Sequence, residues 1–304
     1  MADRLASLLN HFQVRARVFH SGALCETVRF DEAEGVGHVH VLLRGSMRVE
    51  TVGEPPIEVA EPALLFYMQP TTHRLVVRTP EAADTVCAAI EFGARSGNPL
   101  ARALPRLLVL PVAKLAGLSR TIELLFDEAF AARCGRQAAL DRLCELLIIQ
   151  LLRHLMDEDR VNDGLLSGLA DPRLAKALNA MHDEPSRDWS LERLAARAGM
   201  SRARFAVNFR ETVGVTPGEY LAQWRLGLAQ SLLRRGKPVS LVAQEVGFSG
   251  PAALSRAFSA RFGSTPSRWR RETGGAMSRT AGRRPTNQFR PFSFKRPVLD
   301  VAGR

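Results

Sequence analysis

Two periodicities divide the chain. Between residues 18 and 92, apolar and polar residues alternate in short runs, "HVHVLL", "SMRVETV", "LLFYM", "HRLVVR" and "TVCAAIEF", separated by Gly, Pro and acidic turns. Runs of this length and period predict β-strands, and several at this spacing predict a small antiparallel barrel or sandwich. "CETVRF" (25–30) reads as one more short strand. From about residue 100 the period lengthens to that of a helix. "LDRLCELLIIQLLRHL" places Leu140, Leu143, Cys144, Leu147, Ile148, Leu151 and Leu155 on one stripe, which predicts a core thiol at Cys144. The stripe is wide enough to serve a dimer interface as well as internal packing.

The C-terminal part repeats itself. "LERLAARAG" (191–199) returns as "VSLVAQEVG" (239–247) at an offset of 48, and "SRARFAVNFRETVGVTPGEY" (201–220) returns as "GPAALSRAFSARFGSTPSRW" (250–269) at an offset of 49. Each unit predicts a short amphipathic helix, a glycine turn and a second helix. Ser190 and Ser201 are suited to N-caps and Pro251 to a first helical position. Phe205, Phe209, Leu254 and Phe258 fall on the helical period of a core face. Two helix-turn-helix units are the consequence, over 191–212 and 239–262. A single connecting helix from Pro217 to Arg235 joins them, 19 residues or roughly 28 Å long. A strut of that length suits recognition helices set in successive major grooves, about 34 Å apart.

Charge separates the same regions. The net charge is +11, yet residues 1–170 carry 18 basic and 21 acidic side chains, 171–272 carry 17 and 9, and 273–304 carry 7 and 1. The positive excess therefore belongs to the repeated region and the tail, and it predicts a polyanionic partner, duplex DNA, for that part. With 46% apolar and 24% charged residues the chain can bury cores. No apolar run reaches bilayer length and no signal-like leader begins the sequence, so no membrane partner and a cytoplasmic location are expected. Four cysteines without close spacing do not form a secreted disulfide framework.

Residues 171–272 resemble the DNA-binding domain of AraC/XylS-type bacterial transcription regulators. The residues that carry the likeness are "LERLAARAGMSRARFAVNFRETVGVTPGEYL", "WRLGLAQSLL" and "VSLVAQEVGFSGPAALSRAFSARFGSTPSRWR". The resemblance implies DNA contacts from Ser201, Arg202, Arg204, Asn208 and Arg210 in the first unit, and from Pro251, Ala252, Ser255 and Arg256 in the second. Many members carry a long polar or basic residue where this chain has Val207, so base reading by the first unit is expected either to be weaker or to rest on Arg202, Arg204 and Asn208. RNA polymerase and a second copy of the chain are expected as further partners.

The order of strands, then helices, then paired helix-turn-helix units is similar to the members with a cupin-like N-terminal sensor. "DRLASLL", "ALC", "HVLLRG", "THRL", "TVC" and "NPLARALPRLL" carry that likeness. The expected fold is thus α+β: a cupin-like antiparallel β-barrel followed by helices, then an all-α domain. Its bounds are a barrel over 1–105, a helical packing and dimerisation segment over 106–157, a linker over 158–170, the DNA-binding domain over 171–272 and a basic, disordered tail over 273–304.

In that subfamily a cysteine, two histidines and a second cysteine recur, here Cys25, His40, His73 and Cys87. Two thiolates and two imidazoles suit a tetrahedral zinc site. The two thiols could instead close a disulfide under oxidant, and oxidised sulfur would release metal. The alternatives are a structural cluster of buried thiols and satisfied histidines beside a pocket for a small organic effector, and a metal-dependent cupin enzyme. His38-Val39-His40 with His73 partly fits the enzyme pattern, but position 44 is Arg where a carboxylate is needed, so no catalytic residue is expected.

Overall fold

The computed structural model describes residues 3–32, 35–77, 82–92, 105–157 and 164–271. The start of "NPLARALPRLL", the linker over 158–163 and the tail from residue 272 lie outside the described residues.

Among the described residues a short helix α1 (Ala6–His11) precedes nine strands: β1 (Val14–Leu24), β2 (Val28–Phe30), β3 (Gly37–Arg44), β4 (Met47–Thr51), β5 (Ile57–Val59), β6 (Ala63–Tyr67), β7 (His73–Val76), β8 (Ala83–Phe92) and β9 (Leu108–Pro111). They form two antiparallel sheets, β1-β8-β3-β6-β9 and β2-β7-β4-β5. The cupin-like domain is therefore a pair of sheets rather than a closed barrel. It also runs past the expected limit at 105, because β9 completes the larger sheet. Alternation sorts its side chains. Leu42, Leu65, Tyr67 and Cys87 of the larger sheet meet Phe30, Met47, Val49 and Leu75 of the smaller one in an inter-sheet core. Val39, Val41, Leu64, Phe66, Val86, Ala88 and Ile90 point the other way.

That outer face is covered by α2 (Ser119–Phe130) and α3 (Arg136–Asp157). Leu140, Cys144, Leu147, Ile148, Leu151 and Leu155 are all buried here, Cys144 completely. Leu143 of the same stripe is half-buried, so the helix packs most, not all, of that face on its own sheet. The free edge of β1 is closed by polar groups of α3. The Val18 N–H donates to Asp141 Oδ1 (2.7 Å), the Ala16 N–H donates to Glu145 Oε1 (3.3 Å), and Gln137 Nε2 donates to the Val18 carbonyl (2.7 Å). A helix here supplies the hydrogen bonds that a neighbouring strand would otherwise make.

The regular elements described over 164–271 are helices: α4 (Leu165–Ala170), α5 (Leu174–Asp183), α6 (Leu191–Ala198), α7 (Arg202–Val213), α8 (Pro217–Arg234), α9 (Val239–Glu245) and α10 (Pro251–Phe262). The second half of the expected linker is therefore the ordered helix α4, whose Leu165, Leu166 and Leu169 are buried. The outer-face core of the sheets continues without a break through α4, α5 and the first helix-turn-helix unit to Trp224 on α8. The N-terminal segment joins this core, with Phe12 edge-on to Trp224 at 5.0 Å and the His11 Nε2–H donating to the His182 carbonyl (3.0 Å). Arg4 donates to the carbonyls of Leu169 and Ala170 (3.1 and 2.6 Å). The second unit has a separate core of Leu226, Leu233, Val242, Ala243, Val246, Leu254 and Phe258.

Candidate functional site

In each unit two helices meet at a left-handed glycine, Gly199 (φ 64°) and Gly247 (φ 84°), a conformation that costs a side-chain-bearing residue dearly. A Cβ at Gly247 would also lie 2.6 Å from the Ser186 Cα. The second unit is thereby set against the loop preceding the first. Arg225 ties the same loop to α8 by donating to the Pro185 and Arg187 carbonyls (2.7 and 3.0 Å).

Helix α7 begins on Ser201, whose Oγ accepts from the Arg204 N–H, and α8 begins on a capping box between Thr216 and Glu219. Phe205, Phe209, Leu254 and Phe258 are completely buried, which turns the opposite faces of α7 and α10 to solvent. On those faces Arg204, Val207, Arg210, Ala252 and Arg256 are exposed. Arg202 is exposed as well but is paired with Glu192 at 3.0 Å. Asn208, another of the expected DNA contacts, is half-buried, with its amide nitrogen 4.0 Å from Met200 Sδ and its Oδ1 accepting from Thr212 Oγ1 at 3.4 Å. Ser255 is half-buried, and Pro251 opens α10 at the surface.

Inside the cupin-like domain a second site is built from strand alternation. His38 and His40 share the inward face of β3, and the register runs His20, Cys87, His40 across β1, β8 and β3. His73 faces them from β7. Its ring stacks on Tyr67 (3.9 Å between centroids) and on Phe30 (4.6 Å), and Tyr67 is itself fixed by a 2.8 Å hydrogen bond to Thr51. Backbone chemistry settles the tautomers. His73 Nδ1 lies 2.8 Å from the Thr71 carbonyl, which can only accept, so Nδ1 carries the proton and Nε2 presents a lone pair. His40 Nε2 is 2.9 Å from that lone pair and donates to it. His40 Nδ1 is then a buried acceptor with no hydrogen-bond partner among the described residues.

Burial holds these groups neutral. Desolvation, reinforced for His38 by the neighbouring His73, lowers His38 to about 3 and desolvation alone lowers His73 to about 4. His40 is held well below the usual histidine value for the same reasons. Burial pushes the Cys87 thiol up to about 12, opposed by a contact with Thr85. An open groove of about 1330 Å³ between β1 and α3 reaches the cluster at Phe19, Phe30 and His38.

Of the four expected ligands, the structure puts His40 in contact with His73 and cross-strand from Cys87, and places the His38 ring beside both histidines. Cys25 does not join them. β1 ends at Leu24, so Cys25 lies in the exposed turn before β2 rather than on a strand. Leu24 pairs with Ala83, four residues along β8 from Cys87, a span of about 13 Å at 3.3 Å per residue. A disulfide needs Cα atoms within about 7 Å. Among the described residues no group of three or more His, Cys, Asp or Glu is gathered to hold one ion. The sequence pattern "HVH" contained the signal for His38, because residues two apart on a strand share a face. Nothing in the sequence pointed to the Thr71 carbonyl.

Comparison with known proteins agrees with both halves. Residues 3–157 match a Cupin family model and residues 194–272 match a helix-turn-helix domain model. A putative AraC-like transcription regulator of Streptomyces lividans is 28% identical over 272 residues, covering 80% of this chain and 89% of the relative. The chain belongs to the AraC/XylS-type regulators with a cupin-like N-terminal domain.

The RCS-specific HTH-type transcriptional activator RclR of Escherichia coli is 29% identical to this regulator over 76% of its chain and 83% of the relative. An uncharacterised HTH-type regulator of Haemophilus influenzae is 34% identical, and there the match spans about half of each chain. Among solved structures, the DNA-binding domain of AdpA in complex with a target DNA is 33% identical, covering 36% of this chain and 97% of that one, with a TM-score of 0.34. No described helix is long and apolar enough to cross a membrane.

Proposed function

We propose that this DNA-binding transcription regulator reads two successive major grooves with α7 and α10, and that its input is the inter-sheet cluster of His38, His40, His73 and Cys87. The observation that carries the input is the His40–His73 pair. Two buried neutral imidazoles converge to 2.9 Å, and one has its Nδ1–H already committed to a backbone carbonyl. That is the outer-shell arrangement that orients metal-binding histidines. Two nitrogens at about 2.05 Å from one tetrahedral zinc ion lie about 3.3 Å apart, close to the spacing found here.

Zinc would take the His73 Nε2 lone pair directly, and His40 after its proton moves to Nδ1. Cys87, cross-strand from His40, is the adjacent thiol donor. The bound ion would supply the positive charge that makes Cys87 a thiolate, against the burial that now keeps it protonated. The groove along β1 gives the ligand its access. A second reading rests on Cys25, which with Cys134 is one of two exposed thiols open to an oxidant and the one beside the strands of the cluster, and in it the cluster is structural.

Metal content and DNA binding of anaerobically purified protein decide between the two. Stoichiometric zinc, lost in His40→Asn and His73→Asn together with effector control of DNA binding, supports the first reading. Metal-free protein whose DNA binding responds to oxidant, and fails to respond as Cys25→Ser, supports the second.

A further inference from the structure

The two recognition helices differ at one equivalent position, and we infer that this makes them read different base chemistries: Val207 on α7 packs on a thymine C5-methyl group where Arg256 on α10 meets guanine. The inference rests on the two-unit DNA-binding reading above. The offset of 49 that aligns Phe205 with Leu254 and Phe209 with Phe258 aligns Val207 with Arg256. At about 100° per residue, Val207 lies directly across α7 from the midpoint of the two buried phenylalanines. Arg256 lies in the same relation to Leu254 and Phe258. Both are exposed, Val207 by 57%.

An isopropyl group on the outermost line of a helix gains nothing from folding, since it stays in water. Its surroundings identify what could cover it. Ala203 and Ala206 keep one side of Val207 low, while Arg204 and Arg210 flank it, with Glu211 one turn on, and the two arginines suit the phosphate backbones on either side of a groove. Within the major groove the apolar feature at a base edge is the thymine methyl, and side chains of this kind pack against it. Arginine binds guanine O6 and N7 with two hydrogen bonds. A protein surface in the same place would need an apolar patch around Val207, and its neighbours on α7 are small or charged. The binding site should therefore be asymmetric, with an essential thymine under the first unit and an essential guanine about one turn away under the second.

The test uses the full chain and duplexes selected by it from a random-sequence pool. Each thymine of an enriched duplex is replaced in turn by deoxyuridine, which removes only the methyl group. Burying one such group corresponds to about a three- to fivefold change in affinity. The expected result is a loss of that size at one or two thymines under the first unit, absent in Val207→Ala. Val207→Arg should replace the selected thymine by guanine. The inference is overturned if every deoxyuridine duplex binds like its parent, or if the loss persists undiminished in Val207→Ala. A pool without any enriched sequence would remove the two-unit reading together with the inference. Enrichment with no uracil effect would remove the inference alone.

Discussion

The two helix-turn-helix units share a scaffold but not a setting. In the first, Leu194, Phe205 and Phe209 belong to one core that runs through α5 and α4 to the outer face of the sensor sheets, with Phe12 and Trp224 at the junction. In the second, Leu254 and Phe258 close a core of their own. All seven histidines lie N-terminal to the first unit. The difference teaches where a signal can pass. A change in the sensor can shift the first unit through continuous packing, while the second is held mainly through α8 and the loop at 185–187.

Core truncation should break this comparison most visibly. Trp224→Ala and Phe258→Ala each remove a completely buried aromatic ring, at a cost of about 3–5 kcal/mol. Trp224→Ala should lower amide protection in both the sensor and the first unit. Phe258→Ala should lower it over 239–262 and spare residues 14–92. Equal loss everywhere in both variants would show one undivided core.

Acid should separate the regions next. His182 is fully buried, stacked on Trp224 at 3.7 Å and bonded to the Tyr220 hydroxyl at 2.6 Å, and desolvation first, then His11, lowers it to about 3. Because its folded value lies below the unfolded 6.5, the unfolded chain takes the proton first. Its contribution to stability is complete above about pH 6.5 and is lost as pH falls toward 3, by about 1.4 kcal/mol per pH unit. Denaturant unfolding at pH 7 and pH 5 should show this slope reduced in His182→Gln, with protection of the second unit insensitive to pH in both proteins.

At the DNA, Arg256→Ala should lose about 1–3 kcal/mol of discrimination between specific and random duplexes. An equal loss on both would assign Arg256 to phosphate.

The smallest effect concerns caps. Ser201 caps α7, whereas its repeat partner Gly250 leaves α10 without a side-chain cap, in an extended conformation with open space around a would-be Cβ. Ser201→Ala should cost roughly 0.5–2 kcal/mol, and Gly250→Ser should gain a few tenths, read as shifts in the denaturation midpoint.

The repeat was legible because local rules agreed: apolar period, N-cap serines, turn glycines and charge all pointed to the same helices. Strand identity was legible for β3, β4, β6, β7 and β8 for the same reason. Cys25 was misplaced because alternation cannot mark where a strand stops, and "CETVRF" contains no turn residue before Val28. The fate of the α3 stripe was not readable either. A broad apolar face looks alike whether its own sheet or a second copy covers it, and here the sheet covers most of it. The short helix α1 has no periodic signal at six residues. Its role depends on contacts 171 residues away, as His11 bonded to the His182 carbonyl shows.

The central claim, two units reading one face of duplex DNA, is tested most directly by a hydroxyl-radical footprint of the full chain on a selected duplex. The account predicts two protected segments on the same face, about 10 base pairs apart centre to centre, of which Arg256→Ala weakens only one. Protection confined to a single major groove, unchanged by Arg256→Ala, would contradict it.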